Sequence, residues 1–397
     1  MIHPIIRTYH FIFLHVQRLI PFPKPEILEG EGSLLKIPDK LKENGRKKIL
    51  MVTTAGTIKR GTLDAFLSAL KRKNIDVITY TDVPPNPTIL SIEEGTGLYK
   101  ENQCDAIVAV GGGSVMDCAK VIGARVARPN KSVSQMKGLF KVLAKLPESY
   151  MVPTTAGTGS EITVAAVVTD SETHYKYAVN DFSLLPKYAI LDPNLLISLS
   201  PSMTAQTGMD ALTHAVEAYT NIYSERESNE LALSAVIDIF NNLEKSYKDG
   251  SDITLREKML KASFNAGKAF TRAYVGYVHA IAHAIGGIYG VPHGLANSVI
   301  LPIVLEEFGA SVYKSLSELA KAVHLSGATD EELAKAFIAE IRRMNKAMNI
   351  PTNLPEINES DIPKLARRAV KEANPTYPVP KVWTKKEIEE VIRKIKG

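Results

Sequence analysis

Cysteine is scarce in this chain: the 397 residues include only Cys104 and Cys118. Two cysteines cannot form a disulfide framework, which excludes the class of small, disulfide-stapled secreted proteins. A reducing, cytoplasmic setting is therefore expected. A chain of this length can bury a large core without such staples. At about 150 residues per domain, the length predicts two or three domains.

Long apolar runs are also missing. No stretch approaches the roughly 18 apolar residues that a membrane-spanning helix needs, so we expect no integral membrane segment. The apolar run at residues 9–16 is short and is followed by a proline-rich stretch at residues 21–25. It lacks the longer apolar core and small-residue cleavage site of a secretory signal. We interpret residues 1–25 as an N-terminal arm packed on the body or on a partner subunit, with a peripheral membrane contact as the alternative.

Neither sign of charge is in marked excess. The 48 Lys and Arg against 43 Asp and Glu leave a formal net charge of +5, spread along the whole chain. Nucleic-acid binding requires basic residues clustered on one face, so no nucleic-acid partner is expected. A hydrophobic content of 45% with 23% charged residues is ordinary for a globular protein.

Strand and helix signals alternate through residues 46–155. Short apolar runs predict strands, and apolar residues at helical spacing predict helices between them. The predicted strands are 49–53, 76–80, 106–110 and 150–153, and the predicted helices include a segment from Leu63 to Leu70, 88–100 and 114–126. This alternation predicts βαβ units with parallel strands and right-handed crossovers.

The pattern changes after about residue 195. Long helical segments free of internal proline are predicted at 204–219, 225–247, 254–270 and 330–348. Thr329 and Thr384 each precede a glutamate by three residues, which is the spacing of a capping box. We therefore divide the chain into an N-terminal arm at 1–25, an α/β domain at 26–195 and a helical domain at 196–397.

The third predicted strand runs directly into three glycines, Gly111, Gly112 and Gly113, followed by Ser114 at a helix start. Glycines let a backbone approach a ligand closely, and a helix N-terminus favours phosphate. Ser114 either contacts that ligand or caps the helix. The segment is not the G-x-G-x-x-G fingerprint, so a tight turn without a ligand remains an alternative.

A second loop, residues 153–161, follows the fourth predicted strand. It carries four hydroxyl side chains and two glycines; the hydroxyls belong to Thr154, Thr155, Thr158 and Ser160. Neutral donors of this kind can surround an anion or a ribose. A purely structural loop is the alternative.

Four of the nine histidines fall between residues 214 and 293. Asp210 and His214 are spaced i, i+4, as are His279 and His283, and His293 follows shortly after. Side chains four residues apart share one face of a helix. A carboxylate with imidazoles is a ligand set for Zn²⁺ or Fe²⁺. Each histidine alone is more typical of a core or surface position, but the joint pattern favours a metal site.

With these motifs, the chain resembles the iron-containing (group III) alcohol dehydrogenase family from about residue 26 onward. The resemblance rests on the segments Gly111–Lys120, Pro153–Glu161, Gly208–Glu217 and His279–Asn297. It implies an α/β N-terminal dinucleotide-binding domain with a Rossmann-like parallel sheet, followed by an all-α C-terminal domain. It also implies an NAD(P)-linked alcohol dehydrogenase that transfers hydride between a small primary alcohol or aldehyde and nicotinamide.

The resemblance further implies which residues form the site. Asp210, His214, His279 and His293 are expected to bind one divalent ion, Fe²⁺ or Zn²⁺, with His283 beside it. We interpret His283 as a catalytic proton relay. The implied contacts of NAD or NADP are Asn86, Gly112, Gly113, Ser114, Asp117, Thr154, Thr155, Thr158 and Lys176. Relatives commonly associate, so a homo-oligomer, a dimer or a multiple of it, is also expected.

One departure from the family concerns the first strand. Many relatives have an aspartate after it that meets the adenosine ribose, and this chain has Thr54 there. A carboxylate would repel a 2′-phosphate, so Thr54 predicts a preference relaxed towards NADPH. Lys59 and Arg60 either add positive charge or point to water. Simple tolerance of both cofactors is the alternative.

Two rival functions come from other classes. A sugar-phosphate cyclase resembling dehydroquinate synthase would need several Lys and Arg side chains near the metal ligands, where we find mainly Arg272. An inactive, metal-stabilised binding protein would not need all four proposed ligands, which are intact.

Overall fold

A computed structural model describes residues 2–18, 23–173 and 175–397. Met1, residues 19–22, which include part of the proline-rich stretch, and His174 lie outside the described residues. The chain forms two compact units. One comprises Phe22–Leu199 with Ser251–Leu260, and the other comprises Met1–Pro21, Ser200–Gly250 and Lys261–Gly397.

The described chain contains both strands and helices. The strands are β1 (Glu26–Glu29), β2 (Lys48–Val52), β3 (Asp76–Tyr80), β4 (Ala106–Gly111), β5 (Gly138–Leu139), β6 (Glu148–Pro153), β7 (Ala165–Asp170), β8 (Tyr175–Asn180) and β9 (Tyr188–Leu191). The helices are α1 (Ile2–Arg18), α2 (Ile37–Glu43), α3 (Ala55–Lys59), α4 (Asp64–Arg72), α5 (Ile89–Glu101), α6 (Gly113–Ala127), α7 (Pro201–Thr220), α8 (Arg226–Lys248), α9 (Ile253–Ala273), α10 (Tyr277–Tyr289), α11 (His293–Phe308), α12 (Tyr313–Ala322), α13 (Asp330–Ala347), α14 (Ile362–Ala373) and α15 (Lys385–Lys396).

The first unit is built on a six-stranded sheet in the order β1-β9-β6-β4-β2-β3. All of its strand pairs are parallel. Every residue of the central strand β4 is buried, as expected for a parallel strand with both faces covered. The predicted α/β fold with a parallel sheet is confirmed, and the four predicted strands correspond to β2, β3, β4 and β6.

The sequence did not predict the rest of the strands. β1 and β9 extend the main sheet, and a second sheet has the order β5-β8-β7. β7 and β8 pair antiparallel through six residues, from Ala165 opposite Asn180 to Asp170 opposite Tyr175. This hairpin places Lys176 on β8 in the α/β unit.

The second unit is helical, as predicted. The predicted capping box at Thr384 is complete: its side chain accepts from the Glu387 N–H, and the Glu387 carboxylate accepts from the Thr384 N–H. At Thr329 only half of the box forms. The Thr329 side chain accepts from the Glu332 N–H, but the Glu332 carboxylate turns to the N–H of Ala328.

Within the N-terminal arm, residues 2–18 form helix α1, and one face of this helix packs on the body of its unit. Ile6 and His10 are buried there. Arg7 donates to the carbonyl oxygens of Val379 and Pro380, each at 2.7 Å. Burial, assisted by the charge of Arg7, lowers the pKa of His10 to about 4, so this imidazole is neutral at physiological pH.

Among the described residues, no single helix has the length and apolar character needed to cross a bilayer. One pair of consecutive helical segments, His293–Ser311 and Tyr313–Ala322, reaches that length and character together, and the two are bent by 120°.

Candidate metal centre and cofactor site

Three helices of the helical unit bring a carboxylate and two imidazoles together. Asp210 lies on α7, His279 on α10 and His293 at the start of α11, and one ligand atom of each lies within 4.8 Å of the others. α11 can approach α7 closely because residue 294 is glycine; a Cβ there would lie 2.4 Å from the Gln206 carbonyl oxygen. This close approach sets His293 beside Asp210.

The spacing of these three atoms suits a divalent ion. Asp210 Oδ1 lies 3.8 Å from His279 Nε2 and 3.5 Å from His293 Nε2. An ion about 2.1 Å from each donor at tetrahedral angles would space the donors about 3.4 Å apart. Asp210 and His279 are buried, and a buried carboxylate facing unprotonated ring nitrogens needs a cation or donors nearby. The residues present therefore fit the metal that the sequence implies.

His214, the fourth predicted ligand, lies next to this group but outside it. Its ring stacks between Phe270 and His279, with centroid separations of 4.3 and 4.4 Å. The structure thus brings Asp210, His279 and His293 together as a ligand group and places His214 against the ring of His279. The role of His214 as a ligand stays a prediction.

Glu217 holds the second nitrogen of His279. Its Oε2 lies 2.6 Å from His279 Nδ1, and its Oε1 accepts from the Val278 N–H. Burial raises the pKa of Glu217 to about 8, although neighbouring backbone N–H groups oppose the rise. Burial, followed by the charge of His214, lowers the pKa of His279 well below its ordinary value. His279 is therefore a neutral imidazole whose Nε2 faces the ligand group, the form that binds metals.

His283 occupies the position beside the ligand group that the sequence predicted. Its ring stacks on His293 at 5.0 Å between centroids and meets His279 edge-on at 6.0 Å. Its Nδ1 lies 2.7 Å from Glu372 Oε1, and the same oxygen accepts from the Tyr377 hydroxyl at 3.0 Å. A hydrogen bond from Nδ1–H to this carboxylate leaves Nε2 of His283 as the proton acceptor.

The predicted cofactor residues all lie in the α/β unit, and several of them follow the carboxyl ends of strands in the main sheet. β2 has β3 on one side and β4 on the other, so the chain order reverses beside β2. In open parallel sheets ligands bind at such a switch point, outside the carboxyl ends of the strands. Thr54, Gly112 and Thr154 follow β2, β4 and β6 there, and Thr154 donates its N–H to the Gly111 carbonyl oxygen.

The glycine loop at residues 111–113 and the threonine loop at residues 153–161 pack directly against each other. A Cβ on Gly113 would lie 2.6 Å from the methyl group of Thr158, and a Cβ on Gly112 would touch Thr155. Only glycine allows this approach at residue 113. α6 begins here with Gly112 as its N-cap and no side-chain cap, which leaves first-turn N–H groups for an anion.

Ser114 does not cap α6. Its hydroxyl oxygen accepts from the Asn86 N–H at 3.1 Å, and Asn86 Oδ1 accepts from the buried Lys176 ammonium at 2.6 Å. Three of the predicted cofactor residues from separate segments are therefore linked. Direct contact of these residues with a cofactor stays a prediction.

The Asp117 carboxylate is engaged by the protein itself. Oδ1 accepts from the Ser160 hydroxyl at 2.7 Å and Oδ2 from the Val167 N–H at 2.8 Å. The observed contacts of Asp117 therefore fix the threonine loop to β7, and a direct contact with the cofactor stays a prediction.

Thr54 is the N-cap of α3. Its hydroxyl oxygen accepts from the Thr57 N–H and lies 2.9 Å from the Thr57 hydroxyl oxygen. Arg60 turns back over this position and donates to Thr57 Oγ1 at 3.4 Å. The Arg60 guanidinium is therefore linked to Thr54 through the Thr57 hydroxyl.

Sequence reasoning did not assign a role to Glu217, Glu372 or Tyr377. Glu217 follows Asp210 by seven residues, two turns along the same helix, so its position facing the site was available from the spacing. Glu372 and Tyr377 come from α14 and the segment after it, about 90 residues beyond His283 in the chain, and no local pattern indicates them.

Comparison with known proteins places both halves of the chain in one family. The model "Iron-containing alcohol dehydrogenase" matches residues 24–193, and the model "Fe-containing alcohol dehydrogenase family, C-terminal" matches residues 204–396. Together they span nearly the whole chain after the N-terminal arm.

Similar proteins point the same way. A 1,3-propanediol dehydrogenase of Klebsiella pneumoniae is 36% identical over 370 residues, covering 92% of this chain and 95% of the relative. An NADPH-dependent butanol dehydrogenase of Clostridium saccharobutylicum is 36% identical over 334 residues, covering 83% and 84%. The crystal structure of a 1,3-propanediol oxidoreductase matches with a TM-score of 0.91 at 35% identity, covering 95% of this chain and all of the other. This chain belongs to the iron-containing alcohol dehydrogenase family and is an oxidoreductase acting on CH–OH groups.

Proposed function

We propose that this protein interconverts a small primary alcohol and its aldehyde, using one divalent ion held by Asp210, His214, His279 and His293 and a nicotinamide cofactor. The observation that supports this most is the convergence of Asp210 Oδ1, His279 Nε2 and His293 Nε2 in a member of this family. Iron is the metal that the family name indicates, and zinc suits the same donors.

The metal ion and the nicotinamide would supply different parts of the chemistry. When bound, the ion supplies Lewis acidity toward the substrate oxygen, and the nicotinamide exchanges hydride with the substrate carbon. The protein's own residues supply orientation and proton transfer. Glu217 fixes the ring of His279, and the buried carboxylate of Asp210 balances positive charge at the site.

We assign the proton transfer to His283. Because Glu372 holds its Nδ1, the free Nε2 can take a proton from the substrate hydroxyl in the oxidation direction and return it in the reduction direction. Its side chain is 14% exposed, so the proton can pass from the imidazole to water.

Replacement of His283 by alanine is expected to leave the metal bound and to lower kcat about 100-fold, the usual range for a general base. The chain offers a matched control in His324→Asn, because His324 is an exposed histidine of the same helical unit whose backbone, at a φ of 62°, suits asparagine. Kinetics and elemental analysis of both variants check this. Loss of the metal from the His283 variant would show that the ligand set is wrong.

The substrate class is tested with a panel. Metal-loaded protein is given butanol, 1,3-propanediol and shorter primary alcohols, and reduced nicotinamide is measured by absorbance. Turnover of at least one of them is expected, because similar proteins are a 1,3-propanediol dehydrogenase and a butanol dehydrogenase. The comparisons do not favour a sugar-phosphate cyclase or an inactive binding protein, and the basic side chain noted near the ligands, Arg272, is paired with Glu225 at 2.6 Å.

We also propose that the protein is a homo-oligomer, most simply a dimer. The outward side of α1 leaves Ile5, Phe11 and Ile12 more than half exposed, and a second copy of the chain would cover them. Light scattering is expected to give a mass that is a multiple of one 397-residue chain at micromolar concentration. A single-chain mass under those conditions would contradict the proposal.

We also propose that the protein is located in the cytoplasm. Cys104 and Cys118 are both free and buried. Burial raises the pKa of both thiols, to about 11 for Cys104 and about 12 for Cys118, so neither is a reactive thiolate. Unpaired, unreactive thiols suit a reducing compartment.

A further inference from the structure

We propose that Asn297 is a positioning residue that keeps the ligand atoms of Asp210, His279 and His293 converged, and that it does so before the ion binds. The inference rests on the proposed function, because it presumes the ion assigned there. Asn297 lies on α11, four residues after His293, and it is completely buried. The two side chains therefore share one face of the helix.

The side-chain amide nitrogen of Asn297 lies against all three ligand atoms. Its Nδ2 is 2.7 Å from Asp210 Oδ1, 3.1 Å from His279 Nε2 and 3.2 Å from His293 Nε2. Each is an atom that offers a lone pair to a metal. Without an ion, three lone pairs facing one another would repel, and the partial positive charge of the amide hydrogens offsets that repulsion.

The orientation of the amide is fixed by the same network. Turning the side chain over would place the carbonyl oxygen against the three acceptors. In the observed orientation Oδ1 is buried, and it has no hydrogen-bond partner within the described part of the chain. The described residues thus leave this carbonyl oxygen without a partner, while the amide N–H groups face the ligand atoms.

An amide nitrogen has two hydrogens, so it cannot donate to all three acceptors at once. Once an ion takes the single lone pair of each imidazole, only the carboxylate has a further lone pair. The hydrogen bond that persists is therefore the shortest one, from Asn297 to Asp210 Oδ1. Asn297 then holds the carboxylate in its rotamer, as partners of metal ligands commonly do.

The test measures metal binding directly, with Co²⁺ added to metal-free protein. Asn297→Leu keeps most of the volume and removes the donor. We expect it to weaken Co²⁺ binding by about 10- to 100-fold. Ser298→Ala is the matched control, since it removes a buried hydroxyl of the same helix that bonds only the Gly294 carbonyl oxygen of its own helix. It is expected to bind Co²⁺ like the wild type.

A second variant keeps the proposal testable if the leucine variant does not fold. Asn297→Asp has the same shape but turns the donor into an acceptor within reach of the ion. We expect its metal-free form to unfold at a lower temperature, and its Co²⁺ absorption spectrum to differ from that of the wild type. Wild-type affinity in the leucine variant, or a wild-type spectrum and affinity in the aspartate variant, would overturn the role of Asn297. A wild type that binds no Co²⁺ would instead refute the ligand set of the proposed function.

Discussion

Replacement of His279 by alanine is expected to remove the bound divalent ion and the dehydrogenase activity together. His279 is buried, its Nε2 faces Asp210 and His293, and Glu217 fixes its other nitrogen. Lewis-acid stabilisation worth several kcal/mol corresponds to about three powers of ten in rate, so activity should fall at least that far.

Elemental analysis of purified protein and kinetics with saturating cofactor check this expectation. His324→Asn, the exposed histidine control, is expected to retain both metal and activity. Far-ultraviolet circular dichroism of the His279 variant separates loss of the ion from loss of the fold. Full metal occupancy in a folded His279→Ala protein would end the assignment of His279.

A second variant, His214→Ala, tests whether His214 is the fourth metal ligand. Its ring stacks on His279 rather than joining the three converging atoms. If His214 is the fourth ligand, His214→Ala should weaken metal binding by a factor between those for His279→Ala and Asn297→Leu. If His214 only supports the ring of His279, the variant should keep its metal and lose thermal stability instead.

The sequence predicted the parts of the site that depend on one helix. Asp210 and His214, and also His279 and His283, share faces because i, i+4 spacing dictates it. The spacing does not determine which ring nitrogen points where. That depends on Glu217 and Glu372, whose contacts arise from helix packing. The sequence therefore predicted the histidines of the candidate metal site but not the carboxylates that orient two of them.

The same limit applies to the α/β unit. Alternating apolar runs predicted the central strands, since a buried parallel strand is apolar along its whole length. β1 and the hairpin of β7 and β8 were missed, because β1 is short and mostly exposed and the hairpin carries polar residues. Lys176 was predicted as a cofactor residue through resemblance alone. Its hydrogen bond to Asn86 depends on the β7–β8 hairpin, which the sequence did not predict.

The second large effect that we expect is on the preference between NADPH and NADH, measured by kcat/KM. Thr54 follows the carboxyl end of β2, at the position where the family resemblance leads us to expect an aspartate, and Arg60 donates to its neighbour Thr57. We propose that this threonine and arginine receive a 2′-phosphate. Wild-type protein is therefore expected to have a higher kcat/KM for NADPH than for NADH.

Thr54→Asp is expected to reverse that preference. A carboxylate about 4 Å from the 2′-phosphate costs on the order of 4 kcal/mol at an effective dielectric of about 20. Thr54 is half-buried, and water and salt reduce this cost, so the ratio of kcat/KM values should shift towards NADH by about 10- to 100-fold. Thr54→Asn is the matched control, because asparagine has the shape of aspartate without its charge and caps α3 equally well.

Arg60→Gln should weaken the binding of NADPH alone, so that the KM for NADPH rises while the KM for NADH stays unchanged. A wild type that already favours NADH tenfold, together with no change in Thr54→Asp, would show that residue 54 does not meet the ribose.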